Sequence, residues 1–162
     1  MRTRLIFAPL LLVLGCARST ATQPKSSDSS GELRHARIGI QTAAGARYAL
    51  DVEVADTNES RERGLMYRRH MADDAGMIFL FDTEREQTFW MKNTFIALDM
   101  IFIGANNRIV GIVPEATPET ESVRTVGVPS RYVLEVNGGW AALKGVRTGD
   151  RVELSEALPA GG

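Results

Sequence analysis

Cysteine is nearly absent from this chain: one residue, Cys16, in 162. A single thiol excludes an intrachain disulfide framework and any Cys-Cys metal cradle. Histidine is almost as scarce, with only His35 and His70, and neither sits in a ligand-type spacing. No structural metal site is therefore expected, and His70, beside Arg68 and Arg69, reads as a solvated loop residue. There is no Gly-x-Ser-x-Gly nucleophile turn and no phosphate-cradling glycine loop. A serine triad lacks its base. Excess charge is missing too: the formal net charge is −1, which gives no electrostatic argument for nucleic acid. Nothing points to a cofactor. No apolar run reaches the roughly 20 residues of a membrane span.

The N-terminus has a different character from the rest. Arg2 and Arg4 precede an apolar stretch, Leu5 to Leu14, broken only by Pro9. Its length suits the core of a signal peptide. The ending Val13-Leu14-Gly15-Cys16 resembles the lipobox of bacterial lipoproteins, with the bulky Leu14 a mild departure. The resemblance implies that residues 1–15 are removed and that Cys16 is acylated, anchoring the protein on a membrane of the bacterial cell envelope through its acyl chains. In an envelope of two membranes it would face the periplasm. Residues 17–31, ARSTATQPKSSDSSG, lack large apolar side chains and read as a flexible tether. One globular domain over 32–155 and a short polar tail, 156–162, complete the organisation.

Within the domain, Leu50, Val52 and Val54 alternate with Asp51 and Glu53 in the pattern of a half-buried strand. Strands are expected at 37–41, 47–54, 77–81, 87–92, 98–103, 108–114, 132–136 and 151–154. Asp56 with Glu59 reads as a capping box opening a short helix that ends near Gly64 or Met66. A second helical segment spans 138–144 and is closed by Gly145. Regular helices do not separate the strands, which argues against a doubly wound sheet. The expected fold is mainly β (α+β): a small antiparallel, barrel-like or strongly curved sheet of seven to eight strands with two short helices.

The run Phe89 to Ile103, FWMKNTFIALDMIFI, carries most of the chemical information. Leu98, Met100 and Phe102 alternate with Asp99, Ile101 and Ile103, so both faces of that strand are apolar and Asp99 needs a partner. Lys92, placed across a hairpin formed by 87–92 and 98–103, is the first candidate, with Arg61 and Arg63 as others. Glu135, inside the apolar strand 132–136, raises the same question. The candidate ligand-binding set is Arg63, Trp90, Lys92, Asn93, Asp99 and Glu135, with Trp90 beside Lys92 suited to a sugar ring or another small polar ligand. A structural ion pair between Lys92 and Asp99 is the competing reading. Trp140 reads as core. The methionines Met66, Met71, Met77, Met91 and Met100 form no tight metal-binding cluster and read as core filler.

Several of these segments resemble a known family: Arg63-Gly64-Leu65-Met66-Tyr67-Arg68, Gly76-Met77-Ile78-Phe79, Phe89-Trp90-Met91-Lys92-Asn93-Thr94, Leu98-Asp99-Met100-Ile101-Phe102, and Tyr132-Val133-Leu134-Glu135-Val136 with Gly149-Asp150. In this order they are similar to the bacterial and archaeal family called domain of unknown function 192, over residues 50–154. Ala97 stands where that family usually has proline, and Gly138 where it often has alanine. The resemblance implies a compact, largely β domain, often exported, and it brings no established reaction.

Three functions are compatible with these residues. The first is an envelope-facing binding or accessory domain with a pocket for a small polar ligand. The second is a hydrolase-like enzyme using Asp99 or Glu135 as general base, alone or as an acid and base pair. The third is a structural domain that contacts an envelope protein. No catalytic residue is assigned, and the balance is against an enzyme. The anchoring expectation has its own check. Cells producing the protein should incorporate radioactive palmitate into it, and Cys16→Ser should abolish the label; label persisting in the variant would contradict acylation at Cys16.

Overall fold

The computed structural model describes residues 33–155 and Leu158. The segments expected to be signal peptide and tether, with Cys16, and the rest of the expected polar tail lie outside the described residues. Among the described residues seven strands are present: β1 (His35–Gln41), β2 (Arg47–Ala55), β3 (Ala75–Glu86), β4 (Leu98–Ile103), β5 (Ile109–Ala116), β6 (Pro129–Asn137) and β7 (Arg151–Glu153). Two short helices accompany them, α1 (Asn58–Arg63) and α2 (Trp140–Lys144). The strands form one sheet in the order β5-β4-β6-β3-β2-β1-β7, all antiparallel except the β2–β3 pair, which α1 joins as a crossover.

The sheet curls until its two edges meet. Arg108 bridges Arg151, and the Ile109 and Val152 amides donate to Asp150 O and Asn107 O at 3.0 and 2.9 Å. The result is a half-barrel closed at one end. Its concave face carries one core: Ile38, Leu50, Ile78, Ile101, Leu134 and Val152 are all buried together there. Leu158, from the segment expected to be a polar tail, is buried in the same core. Trp140 packs edge-on against Tyr48 (5.8 Å between centroids, 74° between planes) and is core, as its position in the sequence implied.

The convex face of β3, β6 and β4 carries a second core of Met77, Phe79, Val133, Met100 and Phe102. Two connections supply its cover, contributing Leu65 and Met71 from one and Met91 from the other. Strand β4 is therefore buried on both faces, which the alternation of Leu98, Met100 and Phe102 with Ile101 and Ile103 required.

Two local expectations are corrected. Residues 87–92 are not a strand of the sheet and form no hairpin with β4. Both edges of β4 are occupied, by β5 on one side and β6 on the other. The 87–92 segment instead crosses the outer core and touches residues 120–124, through the Phe89–Arg124 bridge and the bond from Met91 N to Thr120 O. The helix cap is also displaced by one residue. Thr57 is the N-cap, accepting from Ser60 N while Ser60 Oγ accepts from Thr57 N, and the Asp56 carboxylate is taken by Arg34 at 2.7 Å. A closed cap box with a small hydroxyl at each position outcompetes an acid whose charge has another partner.

Candidate functional site

The sheet sorts the six candidate residues into different places. Asp99 pairs across the ladder with Val136, whereas Glu135 pairs with Met77 on one side and Met100 on the other. Directly opposed residues share a face and successive residues alternate. Asp99 therefore belongs to the concave face and Glu135 to the convex one. The sheet stands between them, so they cannot divide acid and base roles on one substrate.

Asp99 is completely buried and its partners are not cations. Its Oδ1 accepts from the backbone N–H groups of Glu115 (2.8 Å) and Gly139 (2.9 Å), and Oδ2 accepts from Ala141 N (2.8 Å). The anticipated ion pair with Lys92, Arg61 or Arg63 does not form. Three backbone N–H donors satisfy the buried carboxyl oxygens without the burial of a cation beside them. Both Glu115 and Gly139 hold left-handed backbone (φ 45° and 84°), which turns their amides toward the carboxylate. Asp99 thus fastens β4 to the distal part of β5 and to the start of α2. It is saturated by donors and closed to solvent, an arrangement that leaves it no role as a general base.

Glu135 has no hydrogen-bond or ion-pair partner among the described residues and is flanked by the two buried thioethers of Met77 and Met100. Burial drives its carboxyl from 4.5 up to about 8, so it is a neutral acid at pH 7.

The remaining candidates gather on the outer side. Arg63, Trp90 and Lys92 line a cavity of about 510 Å³ between α1 and the 87–94 segment. Its apolar side is made by Phe79, Phe81 and Phe89, which sequence reasoning did not single out. Phe89 is the hub of these rings, edge-on to Phe79 at 5.0 Å, Phe81 at 6.4 Å and Phe102 at 6.0 Å. Phe81 reaches the cavity where β3 leaves the β6 ladder, between Leu80 and Arg85. Gly64 is required beside it, because its φ of +46° is left-handed and an added Cβ would lie 3.3 Å from the Phe79 ring.

Two motifs of the sequence are joined at the cavity's border. Tyr67 N donates to Asn93 O at 2.7 Å, and Asn93 Nδ2 donates to Tyr67 Oη at 3.1 Å. Asn93 thereby ties the Arg63–Arg68 segment to the Trp90–Thr94 segment rather than lining the cavity itself. Trp90 is half exposed, and Lys92 Nζ sits 5.2 Å from the centre of its ring. The same ammonium lies 3.8 Å from Glu121, a loose surface pair. Arg61, by contrast, is fixed: its guanidinium donates to Asp56 O, Leu80 O and Asn58 Oδ1 and lies 5.5 Å over the Phe81 ring. Among the described residues no cluster of three His, Cys, Asp or Glu is arranged to hold a metal ion.

A curled half-barrel with an aromatic cavity on its convex side defines a small β-rich domain class, a fold that does not by itself fix a function. The profile of domain of unknown function 192, described as an uncharacterized ACR, matches residues 39–154, and the chain belongs to that family. Among solved structures, a protein from Sinorhizobium meliloti 1021 provisionally designated a transcription regulator is 42% identical, with a TM-score of 0.75; the match covers 76% of this chain and 95% of that one. A protein of unknown function from Novosphingobium aromaticivorans DSM 12444 is 38% identical with a TM-score of 0.73, covering 82% and 94% of the two chains. Both share the fold. No curated protein matched the chain significantly. Two departures noted in the sequence prove to be neighbours: Gly138 N donates to Ala97 O at 2.8 Å, and a Cβ on Gly138 would stand 2.9 Å from that of Ala97.

The neutral state of Glu135 has a measurable consequence. The folded carboxyl keeps its proton up to pH about 8 and the unfolded one only to 4.5, so unfolding between these values releases a proton. Its contribution to stability is full below pH 4.5 and declines until pH 8 is passed. Glu135→Gln removes the titration. Urea denaturation at pH 5 and pH 8.5 should show the variant gaining on the wild type by a few kcal/mol, on the order of 3–5, over that range. A difference between the two proteins that is the same at both pH values would show that Glu135 does not titrate in this way.

Proposed function

We propose that this protein is a lipid-anchored, envelope-facing binding domain whose ligand site is the cavity between α1 and the 87–94 segment. The carrying observation is the cavity itself, an opening of about 510 Å³ with aromatic rings on one side and Arg63, Trp90 and Lys92 around it. Its size falls in the range of small-molecule sites, roughly 300–1,000 Å³. A half-exposed tryptophan stacked under a lysine and beside open space has no structural duty that would explain its exposure. The lipid anchor rests on the Arg2 to Cys16 sequence alone.

The hydrolase alternative is weakened by the bonding of Asp99 and the burial of Glu135, since neither carboxyl lines the cavity. A regulatory role on DNA, suggested by the designation of the Sinorhizobium relative, gains nothing from a formal net charge of −1. The domain offers pocket chemistry instead.

The test is a small-fragment screen read by two-dimensional NMR on the domain. Ligands of this site should move the Trp90 indole N–H together with the Gly64 and Val123 amides, and Trp90→Ala should reduce their affinity about tenfold, the scale of a lost stacking contact of roughly 1.4 kcal/mol. A screen whose hits all map away from these three residues would overturn the assignment.

A further inference from the structure

We infer that the cavity selects a small anion carried on a flat apolar body, an aromatic carboxylate in the simplest case, with Arg63 as its anchoring cation; this rests on the cavity being a ligand site.

Charge is unevenly distributed around the cavity. Three cationic side chains line the cavity, Arg61, Arg63 and Lys92, against a single carboxylate, Glu62. Arg61 is held entirely by neutral oxygens, two backbone carbonyls and the Asn58 amide, so no carboxylate offsets its charge. Asp56, whose backbone carbonyl accepts from Arg61, gives its side chain to Arg34. Arg63 makes no hydrogen bond or ion pair among the described residues, and its fork of N–H donors is left for something else. Lys92 meets Glu121 only at 3.8 Å. Two guanidiniums beside an apolar cavity, neither paired with a carboxylate, make a local positive field that low-dielectric walls strengthen. Arginine is also the cation best matched to a planar two-oxygen anion.

The shape of the cavity adds a second constraint. The rings of Phe79, Phe81 and Phe89 and the face of Trp90 offer π-surface that favours a flat ring, stacked or edge-on. A sugar is less well served, because two of the polar groups that would read its hydroxyls are already engaged. Asn58 Oδ1 accepts from Arg61, and Thr94 Oγ1 donates to Lys92 O at 3.2 Å. The small polar ligand expected from Trp90 and Lys92 thus becomes more specific: polar at one end only.

The test uses naphthalene-2-carboxylate and its neutral counterpart naphthalene-2-carboxamide, titrated into wild type and Arg63→Gln, with the Trp90 indole N–H as reporter. Arg63 is exposed, so the variant should melt with the wild type. Wild type should bind the carboxylate about tenfold more tightly than the carboxamide, a preference that falls as salt is raised, and Arg63→Gln should bring the two within about threefold. Equal binding of both probes with a moving Trp90 signal would overturn the anion selectivity while leaving the cavity a ligand site. A preference that survives Arg63→Gln would overturn the role of Arg63. If neither probe moves Trp90 while fragments of other chemistry do, the ligand class is wrong; if no fragment moves it, the binding reading fails as well.

Discussion

A buried carboxylate bonded by three backbone N–H groups holds this domain together. Strand β4 lies between β5 and β6 and is covered on both faces, so a polar side chain on it must be satisfied from within. Asp99 achieves this with the amides of Glu115, Gly139 and Ala141, which belong to the end of β5 and to the turn and first residues of α2. None of these amides has a ladder partner among the described residues, so each side satisfies the other. Asp150 repeats the device on a second pair of turns, accepting from Ala43 N at 2.9 Å and Arg147 N at 2.8 Å beside the place where β5 and β7 meet. Two internal acids thus pin the connections at which a curled sheet is most easily opened.

With those connections fixed, the sheet is free to use its two faces differently. The concave face is filled by aliphatic side chains that reach across to one another. The convex face is too broad to be covered by helices of six and five residues. Two irregular segments cover it instead, tied together by the reciprocal bonds of Tyr67 and Asn93. The space left between α1 and the 87–94 segment is the aromatic cavity. Glu135 belongs to the same outer layer, where it is tolerated as a neutral acid between thioethers.

The strands were legible wherever burial leaves a period in the sequence. Strand β4 begins and ends where its apolar run does, and β1, β2, β6 and β7 differ from expectation by no more than three residues at either end. Extra length in β3, beyond Phe81 to Glu86, was not legible, because 82–86 are exposed polar residues with no core pattern. The parallel β2–β3 pairing left no trace either, since a six-residue crossover helix is shorter than such connections usually are. Asp99 was recognised as needing a partner, but donors from the backbone carry no residue-type signature, so sequence reasoning turned to Lys92. Trp90, Lys92 and Arg63 were identified by their residue types. The rings that complete their site come from β3 and the 87–94 segment, and only the fold brings them together.

The central claim is that Asp99 is a structural fastening and not part of a reactive site. Native-state amide hydrogen exchange, followed by NMR across a denaturant series, tests it most directly. The account predicts that the Glu115, Gly139 and Ala141 amides, although they lie outside the strand ladder, exchange only through the global unfolding that releases Ile101 and Phe102 in β4. Exchange of those three amides by local opening, with free energies well below that of β4, would contradict it.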